Sequence, residues 1–302
     1  MKKRGNSIEF VIAGGLGNQL FMLCAGLYFA ERFKRAVTFD LSDLERISIL
    51  HPGLNIYNLG LVREDQVCRM TKPKWKVKIP VFVSRIFAKM FRMLGPFTEC
   101  TFRRIDEIGF VDLASIPTSI NRIEGYFQSW RYFSDLSEKP MLGIQSLASP
   151  SDWFLQQKKL LDGKEFAALH IRRGDYTHRE NRASGILSVE YFRKVTEQLP
   201  KQIEILVFTD SPDEVNAELS EFGRRFRVIN PPTESDPVES LILMSQASHI
   251  AISNSTYSWW AATLASEDTV IFAPTKWFEL KADPVDLIPN SWVKVQSEWV
   301  NQ

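Results

Sequence analysis

Short apolar segments alternate with helical segments throughout the second half of the chain. The predicted strands span 166–171, 203–209, 226–229, 248–253 and 269–273, and the predicted helices span 189–199, 212–222, 237–247 and 256–265. Strands that are separated by helices pair in parallel, because a crossover connection returns the chain to the same edge of the sheet. The alternation therefore predicts a doubly wound α/β domain, in which ligands bind beside the carboxyl ends of the strands.

Two of the predicted helices begin with strong start signals. Ser211 precedes Pro212, and Asp236 precedes Pro237, with Glu239 three residues after that aspartate. Ser and Asp are favoured helix caps, Pro is favoured at the first helical position, and an acid at the third position can complete a capping box. We therefore expect both helices to be capped by these side chains, the second through a capping box.

The first half of the chain opens with a similar unit. An apolar strand at 10–13, a glycine-rich turn, a helix at 18–34 and a strand at 36–40 follow one another, which is the pattern of a parallel sheet. Residues 41–125 show no comparably clear pattern. Since 302 residues fit two domains of ordinary size, we expect two α/β units.

The composition argues against several classes of function. The 37 Lys and Arg residues are balanced by 36 Asp and Glu residues, so we expect no nucleic-acid partner. Three cysteines without a CxxC spacing and four histidines without an HExxH spacing favour a reducing compartment over a disulfide framework or a metal centre. Residues 1–4, a methionine and three basic residues, precede an apolar stretch, as in a signal peptide. Polar residues interrupt that stretch, so we expect neither a signal peptide nor a membrane span.

Residues 69–104 form a basic segment with ten Lys or Arg residues and a single acid, Glu99. Within it, Arg85, Lys89 and Arg92 are spaced as on one side of a helix, with apolar residues between them. Such a helix can lie on an anionic membrane surface. It can equally be an ordinary domain helix with a solvated basic face, and the sequence leaves both interpretations open.

The turn "GGLGNQLF" at 14–21 follows a predicted strand and opens a predicted helix. Gly15 and Gly17 match the first two glycines of a dinucleotide fingerprint, and Asp40 ends the next strand, where an acid would bind a ribose. Leu20 occupies the third glycine position, which counts against this interpretation. An NAD-dependent oxidoreductase is therefore one alternative function, and a tight turn without a ligand is another.

The segment "HIRRGDY" at 170–176 places charged residues at the end of a buried strand. Side chains alternate along a strand, so His170 and Arg172 share one face while Arg173 points to the other. An arginine at a strand end can form two hydrogen bonds to phosphate oxygens. Asp175 can pair with an arginine or act as a base, and the whole cluster can also be an internal ion pair.

Two further polar segments end predicted strands of the same sheet. In "SNSTYSWW" at 253–260, hydroxyl and amide side chains stand at a helix N-terminus, an arrangement that binds anions and also caps helices. Trp259 and Trp260 are expected in the core. In "FTDS" at 208–211, Asp210 can accept hydrogen bonds from a nucleobase or cap the next helix. Three strand ends of one sheet thus converge on what we expect to be a nucleotide-like ligand. Since the chain contains neither GxxxxGK[ST] nor DxD, we expect this ligand to bind without a P-loop or an obligatory metal.

These motifs, together with "GYFQSWRYF" at 125–133, resemble those of the family 11 glycosyltransferases, the α-1,2-fucosyltransferases. The resemblance implies a GT-B architecture, in which two Rossmann-like domains face each other across a cleft. It implies an N-terminal domain on the acceptor side, at 1–155, and a GDP-fucose-binding domain at 156–302. The implied reaction is inverting transfer of L-fucose from GDP-fucose to the 2-hydroxyl of a terminal β-galactoside, with no metal or other cofactor.

The resemblance also implies residue roles. Arg172 would hold the β-phosphate, His170 and Asp210 would contact guanine, and Ser255 and Thr256 would support the diphosphate. The full set of donor-binding residues expected in this way is Gly17, Asn18, Gln19, His170, Arg172, Asp210, Asn254, Ser255 and Thr256.

Three residues are expected in catalysis: Arg172, Asn18 facing the reaction centre from the first domain, and Asp175. Asp175 is either the general base or a partner that holds an arginine in place. Two departures from the family pattern are Met22, where Gln is usual, and the single acid of "FTDS".

The expected setting is the cytoplasm, with an oligosaccharide or surface-polysaccharide acceptor of the O-antigen or capsule kind. If the acceptor is lipid-linked, the basic segment would hold the enzyme at the inner membrane face. A carbohydrate-binding protein without catalytic activity is a further alternative, which predicts sugar binding without GDP release.

Overall fold

The computed structural model describes residues 7–44, 56–68, 102–117, 119–145, 150–174, 183–222, 226–233 and 235–300. Two predictions fall wholly or largely outside these residues. Asp175 is one, and the basic segment 69–104, of which three residues are described, is the other.

The first unit is built on a five-stranded parallel sheet. In chain order its strands are β1 (Ser7–Val11), β2 (Ala36–Asp40), β3 (Val67–Cys68), β4 (Phe102–Arg104) and β5 (Arg122–Glu124). Their order across the sheet is β3-β2-β1-β5-β4, with β1 at the centre. Helix α1 (Leu16–Phe33) connects β1 to β2, which confirms the predicted strand–turn–helix–strand unit.

The second unit is built on a six-stranded parallel sheet. Its strands are β6 (Phe166–Ile171), β7 (Glu204–Thr209), β8 (Phe226–Ile229), β9 (His249–Ala251), β10 (Val270–Pro274) and β11 (Val293–Val295), in the order β11-β10-β9-β6-β7-β8. Among the described residues, the α-helices that follow α1 are α2 (Trp130–Ser134), α3 (Asp152–Leu161), α4 (Val189–Thr196), α5 (Pro212–Leu219), α6 (Pro237–Ser245) and α7 (Thr256–Thr263). The prediction of two α/β units with parallel sheets is therefore confirmed.

Helix α6 begins differently from the predicted capping box. Asp236 does cap it, because its carboxylate accepts a hydrogen bond from the backbone N–H of Val238. Glu239, however, turns to another element and accepts hydrogen bonds from the backbone N–H and the hydroxyl of Ser151, at 2.6 and 2.7 Å. Ser151 caps α3, so Glu239 joins two helices. Ser211 occupies the N-cap position of α5 with Pro212 directly after it, as predicted, but its side chain makes no hydrogen bond to the helix.

The two units share an apolar contact between α1 and α7. Phe21 packs against Trp259 and Trp260, with ring centroids 4.5 and 5.1 Å apart, and both tryptophans are fully buried, as predicted. The indole N–H of Trp260 donates to the carbonyl of Gly17 at 2.9 Å. At Gly17 a Cβ atom would lie 2.5 Å from the carbonyl carbon of Thr256, so the close crossing requires glycine. The interface is therefore packed like a core.

The chain also crosses between the units near its C-terminal end. The carbonyls of Val285 and Asp286 accept hydrogen bonds from the backbone N–H groups of Phe110 and Trp130, at 3.1 and 2.9 Å. Val285 and Asp286 follow β10, so a segment from the second half of the chain packs against the first unit. The boundary expected between residues 155 and 156 falls within α3, which packs on α6.

Candidate active site

Polar segments follow three neighbouring strands of the second sheet. Strand β6 lies between β9 and β7, so the segments that begin at Arg172, Thr209 and Ser253 share one edge. In a parallel sheet this is the edge at which ligands bind. The sheet topology therefore places the three strand ends next to one another, as predicted.

Arg172 and Asp210 form an ion pair at the centre of this edge. The Nε atom of Arg172 lies 3.1 Å from Oδ2 of Asp210, while Oδ1 of Asp210 accepts a hydrogen bond from the backbone N–H of Arg173 at 2.9 Å. A Cβ atom at Gly174 would lie 2.3 Å from the same carboxylate, so glycine lets the loop approach it. Arg172 keeps 30% of its side chain exposed, so its guanidinium is both oriented and accessible.

Arg173 has the opposite environment. Its side chain is 2% exposed, and its guanidinium binds both carboxylate oxygens of Glu218, at 3.2 and 2.7 Å. It also donates to the carbonyl of Leu187 at 2.9 Å. This charge is therefore paired within the protein by Glu218, in agreement with the interpretation of the cluster as containing an internal ion pair.

His170 is buried behind Arg172 as a neutral imidazole. Its Nδ1 lies 2.8 Å from the hydroxyl of Ser253, so β6 and the end of β9 are joined there. Burial, with a further contribution from the positive charge of Arg172, lowers the pKa of His170 to about 3. The ring is therefore uncharged near neutral pH, and it can bind a ligand as a hydrogen-bonding group rather than as a cation.

The segment that enters α7 contains residues of two kinds. Ser255 precedes the helix, and its side chain makes no hydrogen bond to the helix. Its hydroxyl thus lies beside N-terminal N–H groups that suit an anion. Asn254 is 2% exposed, and its amide nitrogen donates to the carbonyls of Ser184 and Gly185, both at 3.1 Å. These N–H groups fix the loop at 183–185, and the contact of Asn254 with the donor stays a prediction.

The glycine-rich turn of the first unit meets this edge from the opposite side. Gly17 touches Thr256, so these two expected donor-binding residues contact each other and join the units. Gln19 is fully buried, donates to the carbonyl of Gly14 at 3.0 Å and accepts from the backbone N–H of Ile56 at 3.2 Å. The Gln19 amide thus holds the turn itself, and its role in donor binding stays a prediction.

Asn18 is half-buried, and its carboxamide pairs with a residue that sequence analysis did not place in the site. Its Oδ1 accepts a hydrogen bond from Nε2 of Gln128 at 2.9 Å. Gln128 belongs to "GYFQSWRYF", which contributed to the family resemblance but suggested no role for any of its residues. The pairing of β1 with β5 brings the two segments together.

Asp40 is not placed to bind a ribose. It is fully buried, and its carboxylate binds the guanidinium of Arg122 at 2.7 Å and the backbone N–H of Ser42 at 3.0 Å. Arg122 also pairs with Glu9, so the three central strands are tied by one arginine. The alternative of an NAD-dependent oxidoreductase, which needed this acid, is therefore not supported.

Two kinds of feature are absent from the described residues. No group of three or more His, Cys, Asp and Glu side chains converges as metal ligands would within that part of the chain. No helix there is both long and apolar enough to cross a membrane.

Comparison with known proteins agrees with these motifs. The family model "Glycosyl transferase family 11" matches residues 62–296. An α-1,2-colitosyltransferase from Escherichia coli is 28% identical, over 94% of this chain and 97% of that protein. The O-antigen biosynthesis glycosyltransferase WbnK from Escherichia coli is 25% identical, over 94% and 99%. A galactoside α-(1,2)-fucosyltransferase 1 from Plecturocebus brunneus is 23% identical, over 67% and 56%.

Among solved structures, the fucosyltransferase NodZ from Bradyrhizobium matches with a TM-score of 0.46 and 14% identity, over 86% of this chain and 92% of that chain. The Escherichia coli heptosyltransferase WaaC with ADP matches with a TM-score of 0.41 and 15% identity, over 97% and 93%. Because the family model spans well over half of the residues, the chain belongs to glycosyltransferase family 11.

Proposed function

We propose that the protein transfers L-fucose from GDP-fucose to the 2-hydroxyl of a terminal β-galactoside, with inversion at the sugar and without a metal ion. The observation that carries this proposal is the pairing of Arg172 with Asp210 at the edge shared by β6, β7 and β9. It supplies an oriented, accessible cation where the diphosphate of a nucleotide sugar would lie.

In the proposed reaction the galactose 2-hydroxyl oxygen bonds to fucose C1 while the bond from C1 to the β-phosphate oxygen breaks. Negative charge then grows on the departing GDP. Arg172, held through Nε by Asp210, and the N–H groups at the start of α7 face that charge. The interaction strengthens as the bond breaks, so it lowers the barrier rather than only tightening binding.

The proton of the 2-hydroxyl must pass to a base. Asp175 remains the proposed candidate, since it lies in the same motif, two residues after Arg173. Replacement by Asn separates its two possible roles. If Asp175 is the base, the Asn variant is expected to lose activity throughout the pH range. Full rate of that variant at every pH would exclude Asp175 as the base.

GDP-colitose is a second candidate donor. Colitose is fucose without the 3-hydroxyl, and one relative of this chain is named as a colitosyltransferase. Both donors present the same GDP to the Arg172 side of the site, so the choice between them depends on contacts with the sugar. Parallel assays with the two donors distinguish them by their kcat/KM ratio.

An oligosaccharide of a bacterial surface polysaccharide is the proposed acceptor, because a relative is named as an O-antigen biosynthesis enzyme. We further propose a lipid-linked acceptor, cytoplasmic location and contact between residues 69–104 and the inner membrane face. The ten basic residues of that segment support membrane contact. Sedimentation with anionic liposomes at low salt tests it, and the protein remaining in the supernatant would refute it.

The decisive experiment is mass spectrometry of lactose after incubation with the protein, GDP-fucose and EDTA. A product heavier by one fucose residue is expected, and NMR then gives the linkage and the anomeric configuration. No product with EDTA but product with Mg²⁺ would refute metal independence. No product under either condition, with any galactoside offered, would refute the proposed transfer. Bound sugar without release of GDP would indicate the carbohydrate-binding alternative.

A further inference from the structure

Gln128 lies in the loop between β5 and α2 and contacts the turn that opens α1. Its Nε2 donates a hydrogen bond to Oδ1 of Asn18 at 2.9 Å. The two residues are 110 positions apart, and they meet because β5 runs parallel to β1 in the sheet. The contact therefore depends on the fold rather than on local sequence. Asn18 adjoins Gly17, the residue that touches Thr256 of the second unit.

The other end of the Gln128 carboxamide has no partner. The side chain is buried, with 7% of the residue exposed, and its Oε1 atom has no hydrogen-bond partner among the described residues. Leaving a buried carbonyl oxygen unpaired opposes folding, so such atoms are rare in proteins. Gln19, by contrast, has both ends of its carboxamide bonded. The half of Gln128 that the structure does pair is the half that reaches Asn18.

The backbone beside Gln128 is strained. Phe127 has a φ angle of +53°, which is unfavourable for a bulky residue other than glycine. Its ring is buried against Phe10 and Tyr132, with centroids 5.8 and 5.9 Å away, and the backbone N–H of Gln128 donates to the carbonyl of Ile108. Core packing thus holds the strained residue in place, and the result is a fixed direction for the Gln128 side chain.

We propose that Gln128 is a positioning residue that orients the Asn18 carboxamide for the GDP-sugar. With Oδ1 of Asn18 turned to Gln128, Nδ2 is directed to the opposite side, where it can donate to an oxygen of the transferred sugar. Without Gln128 the carboxamide could turn over and present an acceptor instead. This inference rests on the proposed function and names a residue through which the first unit acts on the donor.

The test compares Gln128→Met with a matched change, Gln198→Met, in the exposed turn that follows α4. Methionine keeps the length of the side chain but removes both polar atoms. Since it also removes the unpaired oxygen, we expect an unchanged or higher melting temperature. We expect kcat for transfer to fall by about ten-fold, affinity for GDP to stay unchanged, and Gln198→Met to match the wild type. Unchanged kcat in Gln128→Met would overturn the proposal.

A double-mutant cycle asks whether Gln128 acts through Asn18. If it does, Gln128→Met added to Asn18→Ala causes no further loss of kcat, because the group to be oriented is already gone. Losses that multiply would show that Gln128 acts independently and would overturn the proposal. Should Gln128→Met not fold, Gln128→Asn is measured in the same way, since its shorter side chain withdraws the amide from Asn18.

Wild-type activity decides the proposed function before any variant is compared. If the wild type binds GDP but transfers no sugar, the proposed function fails, and calorimetric titration then decides the role of Gln128. If Gln128→Met binds GDP-fucose more weakly than the wild type does but binds GDP equally well, the result would support orientation of Asn18 toward the sugar. Equal binding of both ligands by the wild type and Gln128→Met would overturn it.

Discussion

Arg172 and Arg173 are adjacent in sequence and lie in opposite environments. Alternation along β6 predicts that they face different sides, but it does not identify their partners. Those partners, Asp210 and Glu218, come from the next strand and the helix after it. The residue types in the motif therefore indicate an anion site, whereas only the fold shows that Arg172 is partly exposed beside Asp210 while Arg173 is buried against Glu218.

Arg172→Ala is expected to lower kcat by about 10²–10³-fold, because it removes the cation that faces the charge developing on GDP. Arg172→Lys is expected to restore part of the rate, since a lysine carries the charge but not the planar fork. Steady-state transfer assays measure both. The matched control is Arg227→Ala, which breaks a partly exposed ion pair with Glu204. Equal activity of Arg172→Ala and the wild type, with circular dichroism showing a folded protein, would contradict the assigned role.

His170 makes stability depend on pH in a defined direction. Its folded pKa, about 3, lies below the ordinary value of 6.5, so between these values the unfolded chain binds a proton that the native protein does not. The stabilisation is complete above pH 6.5 and is lost as the pH falls toward 3. Between about pH 6 and 4, we expect His170→Asn to have a shallower dependence of the free energy of unfolding, by about 1.4 kcal/mol per pH unit. Urea denaturation measures it, and equal slopes would refute it.

At the scale of elements, the strands and helices of the second half are confirmed within a few residues. Apolar alternation and helix start signals are local, so they are readable in the sequence. The three-residue β11 escaped prediction, because two of its residues are exposed and it carries no alternating pattern. Glu239 shows another limit: its spacing matched a capping box, but its carboxylate serves Ser151, which is distant in sequence.

The sequence likewise predicts some features of the candidate site and misses others. The position of Arg172, His170, Asp210 and Ser255 beside the carboxyl ends of strands was predictable, because strand ends in an α/β unit are recognisable in the sequence. The hydrogen bonds by which Gln19 and Asn254 hold neighbouring loops were not, since their partners come from other segments. Gln128 was missed because a single glutamine in an aromatic motif carries no chemical signal until its partner is known.

The crossing of α1 and α7 gives a prediction for Gly17→Ala. The added methyl group would lie 2.5 Å from a backbone atom of Thr256, which cannot move away as a flexible side chain could. We expect a loss of about 1–3 kcal/mol in the free energy of unfolding. Gly15→Ala is the matched control, since a methyl group added there would have no other atom within 4 Å and the φ angle of Gly15 is −69°. Denaturant titration compares the two, and equal stabilities would contradict the close crossing.

At the scale of the whole molecule, the larger of the two described apolar clusters extends through both units, and the smaller one lies within the second unit. Phe21, Trp259 and Trp260 belong to the same cluster as residues of the first sheet. We therefore expect one calorimetric unfolding transition rather than two. Phe21→Ala should lower the melting temperature of that single transition and cost about 3–5 kcal/mol. Differential scanning calorimetry tests this, and two resolved transitions in the wild type would show that the units unfold independently.

The hydrogen bonds from Phe110 and Trp130 to the segment at 285–286 have a consequence for synthesis. The ribosome synthesises the first unit long before it reaches Val285 and Asp286. Part of the surface of the nascent first unit therefore stays uncovered during synthesis. Both hydrogen bonds can form only after residues 285–286 have been synthesised. We therefore expect the first unit to complete its packing late, together with the second unit, and its uncovered surface to be open to chaperones until then.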